Sequence, residues 1–380
     1  MKKIVFPGIA MIGVTYAFAR FSYGLFLPDI SNSLKLSEMQ AGVPSSFAYI
    51  AYCLTLVFSS LLINRAGAYN SIQISGFSAV VGTLCIALSQ NLHMLSISTF
   101  IAGIGSGLSS PAFSKIAAVN LKPEERDKGN TWINTGTSFG LIISGPLALF
   151  FSNYWRLAYI FFAAISFIVI LWNRRSIPKT DLQFKQSGLP IERKNRWNIS
   201  WKRSIHLFIA AFITGISSSI YWTFSRSFLT TEYGMSTMES MFFWILMGIA
   251  GILGGVAGNF IRQFGLATSY RGVLLVLLAS ICLITIPSTI SIYCSALLFG
   301  ISYIFITGVF IVWSVKLFVE APFLGVSLGF LLLGIGQSFG SLIAGAIIDL
   351  ASYAFGFLLF AGIGLCGLFV RTPTDTSSNS

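Results

Sequence analysis

Charge is what this 380-residue chain has least of. Asp, Glu, Lys and Arg together make up 9% of it, where a soluble domain carries about 25%. Hydrophobic residues make up 55%, which excludes an ordinary soluble globular domain. Acidic groups are the scarcer sign, 12 against 24 basic ones. There are two histidines, His93 and His206, and both sit at the edges of apolar runs. The five cysteines, Cys53, Cys85, Cys282, Cys294 and Cys366, fall inside apolar runs without metal-type spacing. They read as small buried hydrophobes and give no zinc site or disulfide framework. No nucleophile, metal cluster or acid–base pair stands at depth in an apolar run. The expectation is therefore no enzyme, no metal and no cofactor.

What the chain has instead is length of apolar sequence. Runs of about 20 apolar residues, enough to cross a hydrocarbon core as helix, recur from end to end. Hydropathy predicts spans near 6–28, 40–63, 71–90, 94–118, 131–151, 157–173, 205–229, 240–261, 271–289, 291–316, 323–348 and 352–370. This is an all-α membrane protein with twelve transmembrane helices. The organisation expected is a six-helix bundle over 1–173, a basic linker over 174–203, a second six-helix bundle over 204–371, and a tail over 372–380. The opening Met1-Lys-Lys, apolar stretch and Ala17-Phe18-Ala19 resemble a cleaved signal peptide. They read better as an uncleaved first span, because the apolar helix continues to Leu27 and the halves then match in span number.

Basic residues orient the chain. Arg20, Lys35, Arg156 and Arg226 are four exceptions; the other 20 of the 24 Lys and Arg lie on one side. The positive-inside rule makes that side the cytoplasm, with both termini there, in a multi-pass protein of the cell membrane. The net charge of +12 thus reports topology and not a nucleic-acid surface. Trp197 and Trp201 among the bases of the linker suggest contact with anionic membrane lipid.

The chain also repeats itself. Gly136-Thr-Ser-Phe-Gly-Leu-Ile-Ile-Ser-Gly145 returns as Gly336-Gln-Ser-Phe-Gly-Ser-Leu-Ile-Ala-Gly345, identical at six of ten positions. Ser60 to Gly67 is echoed by Gly258 to Gly265, and Leu36-Ser37-Glu38-Met39 more faintly by Met235-Ser236-Thr237-Met238. The three registers agree within two residues. Six spans separate equivalent points, so the halves are parallel repeats, a build of secondary transporters.

With these motifs the chain resembles the major facilitator superfamily. Ser60 to Tyr69 is similar to the family's loop motif between spans 2 and 3: Arg65 and Gly67 match, while Asn64 stands where the family has aspartate. Pro123-Glu-Glu-Arg126-Asp-Lys-Gly129 is similar to its loop between spans 4 and 5. Gly140 to Pro146, with its Gly145-Pro146 pair, resembles the antiporter-associated motif of span 5. Thr99 occupies the place of the family's functional arginine in span 4. Tyr16-Ala-Phe-Ala-Arg20-Phe-Ser-Tyr23-Gly-Leu-Phe-Leu-Pro28 resembles the first span of YbfB/YjiJ-type members. The resemblance implies the major facilitator fold and alternating access. It also implies rocking of the halves where spans 5 and 8, and 2 and 11, meet. The small surfaces Gly136, Gly140, Gly145, Gly254, Gly258, Gly336 and Gly340 are expected there.

Arg20 is the sharpest candidate for function. A charge that far inside a span is expensive and should face a polar cavity. Tyr16 and Tyr23, at i−4 and i+3, should share its face. The bland alternative is a structural arginine bonded to neighbouring carbonyls. Arg226 in span 7, with Trp222 and Ser219 on its face, is the expected partner, against a reading as an interfacial arginine reaching outward. Together they would suit a carboxylate-bearing ligand. Asp29 is the coupling candidate, with a solvated helix-end aspartate as its rival reading. Tyr303 joins the expected cavity lining.

The favoured function is transport of a small organic anion, with coupling protons or a counter-substrate as further partners and a monomer as the working unit. The alternative is efflux of amphipathic or drug-like compounds along the aromatic lining; a non-transporting membrane receptor comes last.

Overall fold

The computed structural model describes residues 1–151, 154–179, 201–319 and 322–372, without the side chains of 123, 127, 201–203, 256, 258, 259, 322 and 323. The basic linker and the tail therefore lie largely outside the described residues, and Gly258 lies in a helix whose local surroundings are not described. All regular structure among the described residues is helical. In order come α1 (Lys2–Leu34), α2 (Glu38–Ala66), α3 (Ala68–Leu88), α4 (Leu92–Asn120), α5 (Glu124–Phe150) and α6 (Trp155–Ser176). Then follow α7 (Ser204–Glu232), α8 (Thr237–Leu253), α9 (Leu266–Leu283), α10 (Thr289–Leu317), α11 (Leu324–Leu350) and α12 (Tyr353–Phe369). Ten are long and apolar enough to cross a membrane; α8 and α12 are shorter apolar helices.

Local chemistry starts and stops these helices in the same way in both halves. Ser37 caps α2 and Ser236 caps α8, each closing a capping box with the side chain three residues on, Gln40 and Glu239. Each box satisfies two backbone donors that the helix start leaves open. Gly67 (φ 89°) ends α2 and Gly265 (φ 79°) precedes α9. Both adopt a backbone that side chains disfavour, so a glycine is required at each turn. The repeat seen in the sequence is thus a repeat of turn geometry.

Two elements depart from expectation. The segment 123–129 is the opening of a helix, Pro123–Asn134, rather than a loop. Proline suits the first helical position, and Glu124 and Glu125 complement the positive helix start. The helix resumes as Gly136–Phe150 after Thr135. The expected continuous span 240–261 is interrupted by a 3₁₀ turn, Gly254–Val256, before Ala257–Phe264. At that turn Gly254 packs against α10, where an added Cβ would lie 2.6 Å from the Ile301 carbonyl.

In the first six helices, α4 packs on α2 and α3, and α3 on α6; in the last six, α7 packs on α11 and α12, and α10 on α8 and α9. Between the sets, α2 lies along α11, α5 along α8, and the second part of α1 against α7. Arg156 at the start of α6 donates to the Ala87 and Ser89 carbonyls at 3.1 and 2.8 Å. It thereby satisfies acceptors left open at the end of α3.

The duplicated decapeptide divides its glycines between two neighbours. Gly136 meets the Ile9 carbonyl, and Gly140 the Gly13 carbonyl and Ala17, all on α1 of the same half. Gly336 meets the Phe212 carbonyl, and Gly340 Ile216 and Ser219, all on α7 of the same half. Only the last glycine of each copy faces the other half: Gly145 meets Ile245 of α8, and Gly345 meets the Glu38 carbonyl of α2. The expectation that Gly136, Gly140, Gly254, Gly336 and Gly340 lie where the halves meet is therefore corrected, Gly254 meeting α10 of its own half. Sequence shows that a close approach is needed but not which helix approaches. Pro146 follows Gly145 within Gly136–Phe150.

Valine at Gly140 or Gly340 should destabilise the folded protein by about 1–3 kcal/mol, because each added Cβ meets backbone that cannot turn aside. Thermal unfolding in detergent checks this, and equal losses at the two positions are expected from the shared geometry. A loss at one position alone would show that the two contacts are not equivalent.

Candidate functional site

The middle of α1 is not an α-helix. Gly13–Phe21 winds as a π-helix between α-helical segments Lys2–Ile12 and Ser22–Leu34. Such a stretch is rare and is frequently found at functional sites. Arg20 lies at its end and is 6% exposed.

Aromatic rings from two helices surround its guanidinium. The ring centres of Tyr52 and Tyr49, from α2, lie 4.2 and 4.5 Å from its central carbon, and those of Phe21 and Tyr16, from α1, at 5.0 and 5.8 Å. Each such contact is worth about 2 kcal/mol where water is excluded. The polar contact comes from α11: Arg20 Nη2 donates to Gln337 Oε1 at 2.9 Å. Gln337 Nε2 in turn donates to the Tyr303 hydroxyl of α10 at 2.9 Å. A guanidinium only donates, so the amide must turn its oxygen to Arg20 and its nitrogen to the phenol. Arg20 Nε is buried without a hydrogen-bond partner. Among the described residues no carboxylate forms an ion pair with Arg20. The arrangement is a desolvated cation whose buried Nε is left open.

Above this cage Phe21 stacks on Trp222 of α7, ring centres 4.2 Å apart. Trp222 also meets Tyr303 edge-on at 5.0 Å. Beyond the stack, one turn further along α7, lies Arg226. Its Nη1 donates to Asp29 Oδ2 at 2.6 Å and to the Leu25 carbonyl, and its Nε donates to Ser240 Oγ at 3.2 Å. The Arg226 and Asp29 side chains are 2% and 22% exposed.

Close packing seals the same end. Ser45, Thr223 and Ser341, from α2, α7 and α11, form a hydroxyl triad with separations of 2.9, 3.3 and 3.4 Å. Ser46 and Ser338 pair at 2.9 Å. Gly24 lies directly against the Trp222 carbonyl. Packed around Tyr52, the side chains of Tyr16, Leu331 and Ile335 are partly exposed. Arg20 is therefore closed off at the Asp29 end.

Of the residues singled out from sequence, the structure brings Arg20, Tyr16, Trp222 and Tyr303 together. Arg226 is not beside Arg20; it is joined to Asp29, and the Phe21–Trp222 stack lies between. The outward-reaching and substrate-facing readings of Arg226 both give way to an ion pair between α1 and α7. Asp29 is correspondingly not a free helix-end aspartate. Tyr23 leaves the expected face, and its hydroxyl donates to the Ala41 carbonyl at 2.7 Å. The π-helix is the reason: its wider turn shifts the phase of α1, so i+3 from Arg20 no longer shares a face with i−4. Ser219 packs on Gly340 and donates to the Ile216 carbonyl at 2.7 Å. Gly67 shapes its turn, and Arg65 lies in the last turn of α2 beside it.

Tyr49, Tyr52 and Gln337 are site residues that reading the sequence missed. The tyrosines carried a usable signal, a spacing of three that puts both on one helix face. Gln337 carried another: it is an amide in an apolar span, at a position where the two copies of the decapeptide differ.

Comparison with known proteins fits this architecture. The model of the Major Facilitator Superfamily matches residues 9–323, well over half of the chain. A hexuronate transporter of Bacillus subtilis is 24% identical over 277 residues, 70% of this chain and 65% of that protein. An MFS-type efflux pump of Mycolicibacterium smegmatis is 24% identical over 65% of this chain and 59% of that protein. The chain thus spans less than two thirds of the length of these relatives. Among solved structures, the nucleoside transporter NupG aligns with a TM-score of 0.76 at 16% identity, over 97% of this chain and 98% of that one. That likeness speaks to the fold.

Proposed function

The chain belongs to the Major Facilitator Superfamily, and from that membership we propose that it is a secondary active transporter of a small organic anion, working by alternating access. One observation carries the substrate reading. Arg20 is a buried guanidinium without a carboxylate partner, held by aromatic rings and an amide, with its Nε open. Such a cation is stabilised by an incoming anion, and guanidinium geometry suits a carboxylate. The hexuronate transporter among the relatives supports the same class.

In this reading residues 1–173 and 204–371 are two six-helix bundles that rock about the Arg20 site. The Asp29–Arg226 end faces outward, and both termini are cytoplasmic, as the basic residues indicate. Asp29, in the latch between α1 and α7, is the group through which a proton would act. The likeness of residues 16–28 to YbfB/YjiJ-type members fits a branch of the superfamily without naming a cargo. The reading includes no catalytic step.

Proteoliposomes test it. Counterflow of a small organic anion should fall at least tenfold in Arg20→Ala and recover only in part in Arg20→Lys, which keeps the charge but not the forked donors. Full flux in a folded Arg20→Ala protein would overturn the proposal. The second reading, efflux of amphipathic compounds, is favoured by the continuous aromatic surface of Tyr16, Tyr52, Phe21, Trp222 and Tyr303. Thermal shift separates the two: stabilisation by lipophilic cations alone would decide for efflux.

A further inference from the structure

The charges around the cage bear on the valence of the cargo. Among the described residues two arginines are buried at depth, Arg20 and Arg226, and of these two only Arg20 has its charge unmet. Arg226 is matched by Asp29 at 2.6 Å, so that pair is neutral as a unit. Arg20 has an amide where a carboxylate would cancel it. Glutamate at 337 would fill nearly the same volume and accept the same 2.9 Å bond, but it would satisfy the guanidinium internally. Glutamine holds Arg20 in place and leaves it charged. Its second bond, to the Tyr303 hydroxyl, fixes the amide and passes no charge. The rings of Tyr49 and Tyr52 supply apolar faces and no second cation.

We infer that the Arg20 site selects a monoanion, a single carboxylate on an uncharged body, against dianions, and that Gln337 is the positioning residue that makes it do so. The inference rests on the anion-transport reading above. One carboxylate neutralises the one uncompensated guanidinium. A second would be stripped of water beside aromatic rings with no cation to meet it, a cost without offset. The other buried arginine, Arg226, is already paired with Asp29 and lies behind the Phe21–Trp222 stack.

Matched probes test the inference on the full-length protein. Glucuronate is compared with glucarate, and benzoate with terephthalate, by thermal shift in nanodiscs and by counterflow in proteoliposomes. Within an engaged pair, the monoanion is expected to act at least tenfold more strongly than the dianion. Gln337→Glu should lose monoanion binding at least tenfold, whereas Gln337→Met should weaken it while keeping the preference for the monoanion. That split separates a charge effect from mere loss of packing. A dianion that binds as well as its partner overturns the inference and leaves the anion reading standing. So does unchanged monoanion binding in a folded Gln337→Glu protein. If that variant does not fold, the wild-type comparison still decides. Silence of all four probes, with stabilisation by lipophilic cations, overturns the anion reading and this inference with it.

Discussion

Asp29→Asn should open the end of the molecule that the structure shows closed, shifting the closed–open equilibrium roughly 30- to 150-fold. The Arg226 side chain is 2% exposed, so removing the carboxylate charge leaves a guanidinium buried without compensation. Truncating one member of such a pair typically costs about 2–5 kcal/mol. Asp29 is 22% exposed, and water entering there offsets part of the loss, so about 2–3 kcal/mol is expected, at 1.4 kcal/mol per tenfold. The cost falls on the closed state alone, because opening carries α1 and α7 apart and lets Arg226 reach water. Nitroxide labels at Ser33 and Thr231, both exposed near the ends of α1 and α7, report the change as a longer distance by pulsed electron spin resonance. An unchanged distance distribution would mean that the ion pair is not what holds this end shut. In the double variant Asp29→Asn with Arg226→Met, the unpaired charge is gone, so thermal stability should recover while the latch stays absent.

Gly24→Ala should have a still larger effect on the same equilibrium. A Cβ at this position would collide with the Trp222 carbonyl oxygen and press on the Thr223 carbonyl at 3.2 Å. Both obstacles are main-chain atoms, so no rotamer change relieves them. Only separation of α1 from α7 does. The expected result is a protein that folds, because the contact joins the two halves rather than building either, but in which the closed population falls at least 100-fold. The Ser33–Thr231 distance reads this outcome too. Gly272→Ala is the control: nothing lies within 4 Å of a Cβ there, and alanine in a helix is about 0.5–1 kcal/mol better than glycine. Unaltered closure in Gly24→Ala would show that the contact with Trp222 is readily yielded.

Both variants act where α1 meets α7, and the sequence pointed to that pair of helices by a different route. Arg20 and Arg226 were expected to face one cavity because each is a charge in an apolar helix. They do sit on adjoining helices, but at different levels and with different partners. Asp29 was legible as an acidic group near a helix end; that it completes an ion pair was not. Tyr23 was placed by counting residues on a regular helix, and the π-turn defeats that count. The cage was half legible: Tyr16 and Tyr303 were named, whereas Tyr49, Tyr52 and Gln337 come from helices whose approach to α1 no local pattern records.

What the chain determines by itself is whatever depends on neighbours in sequence. Apolar runs make helices of membrane-spanning length, since each satisfies its own backbone. Ser37 and Ser236 open helices, and Gly67 and Gly265 turn between them, because caps and turns are built within a few residues. The duplicated register follows from the same local text. Tertiary structure decides what depends on distant partners: the bond from Arg20 to Gln337 spans 317 residues, and that from Arg226 to Asp29 spans 197. It also decides that Gly140 and Gly340 seat the first helix of their own halves. A buried charge or a missing side chain states a demand for a partner or a close neighbour. Only the packing of helices says who meets it.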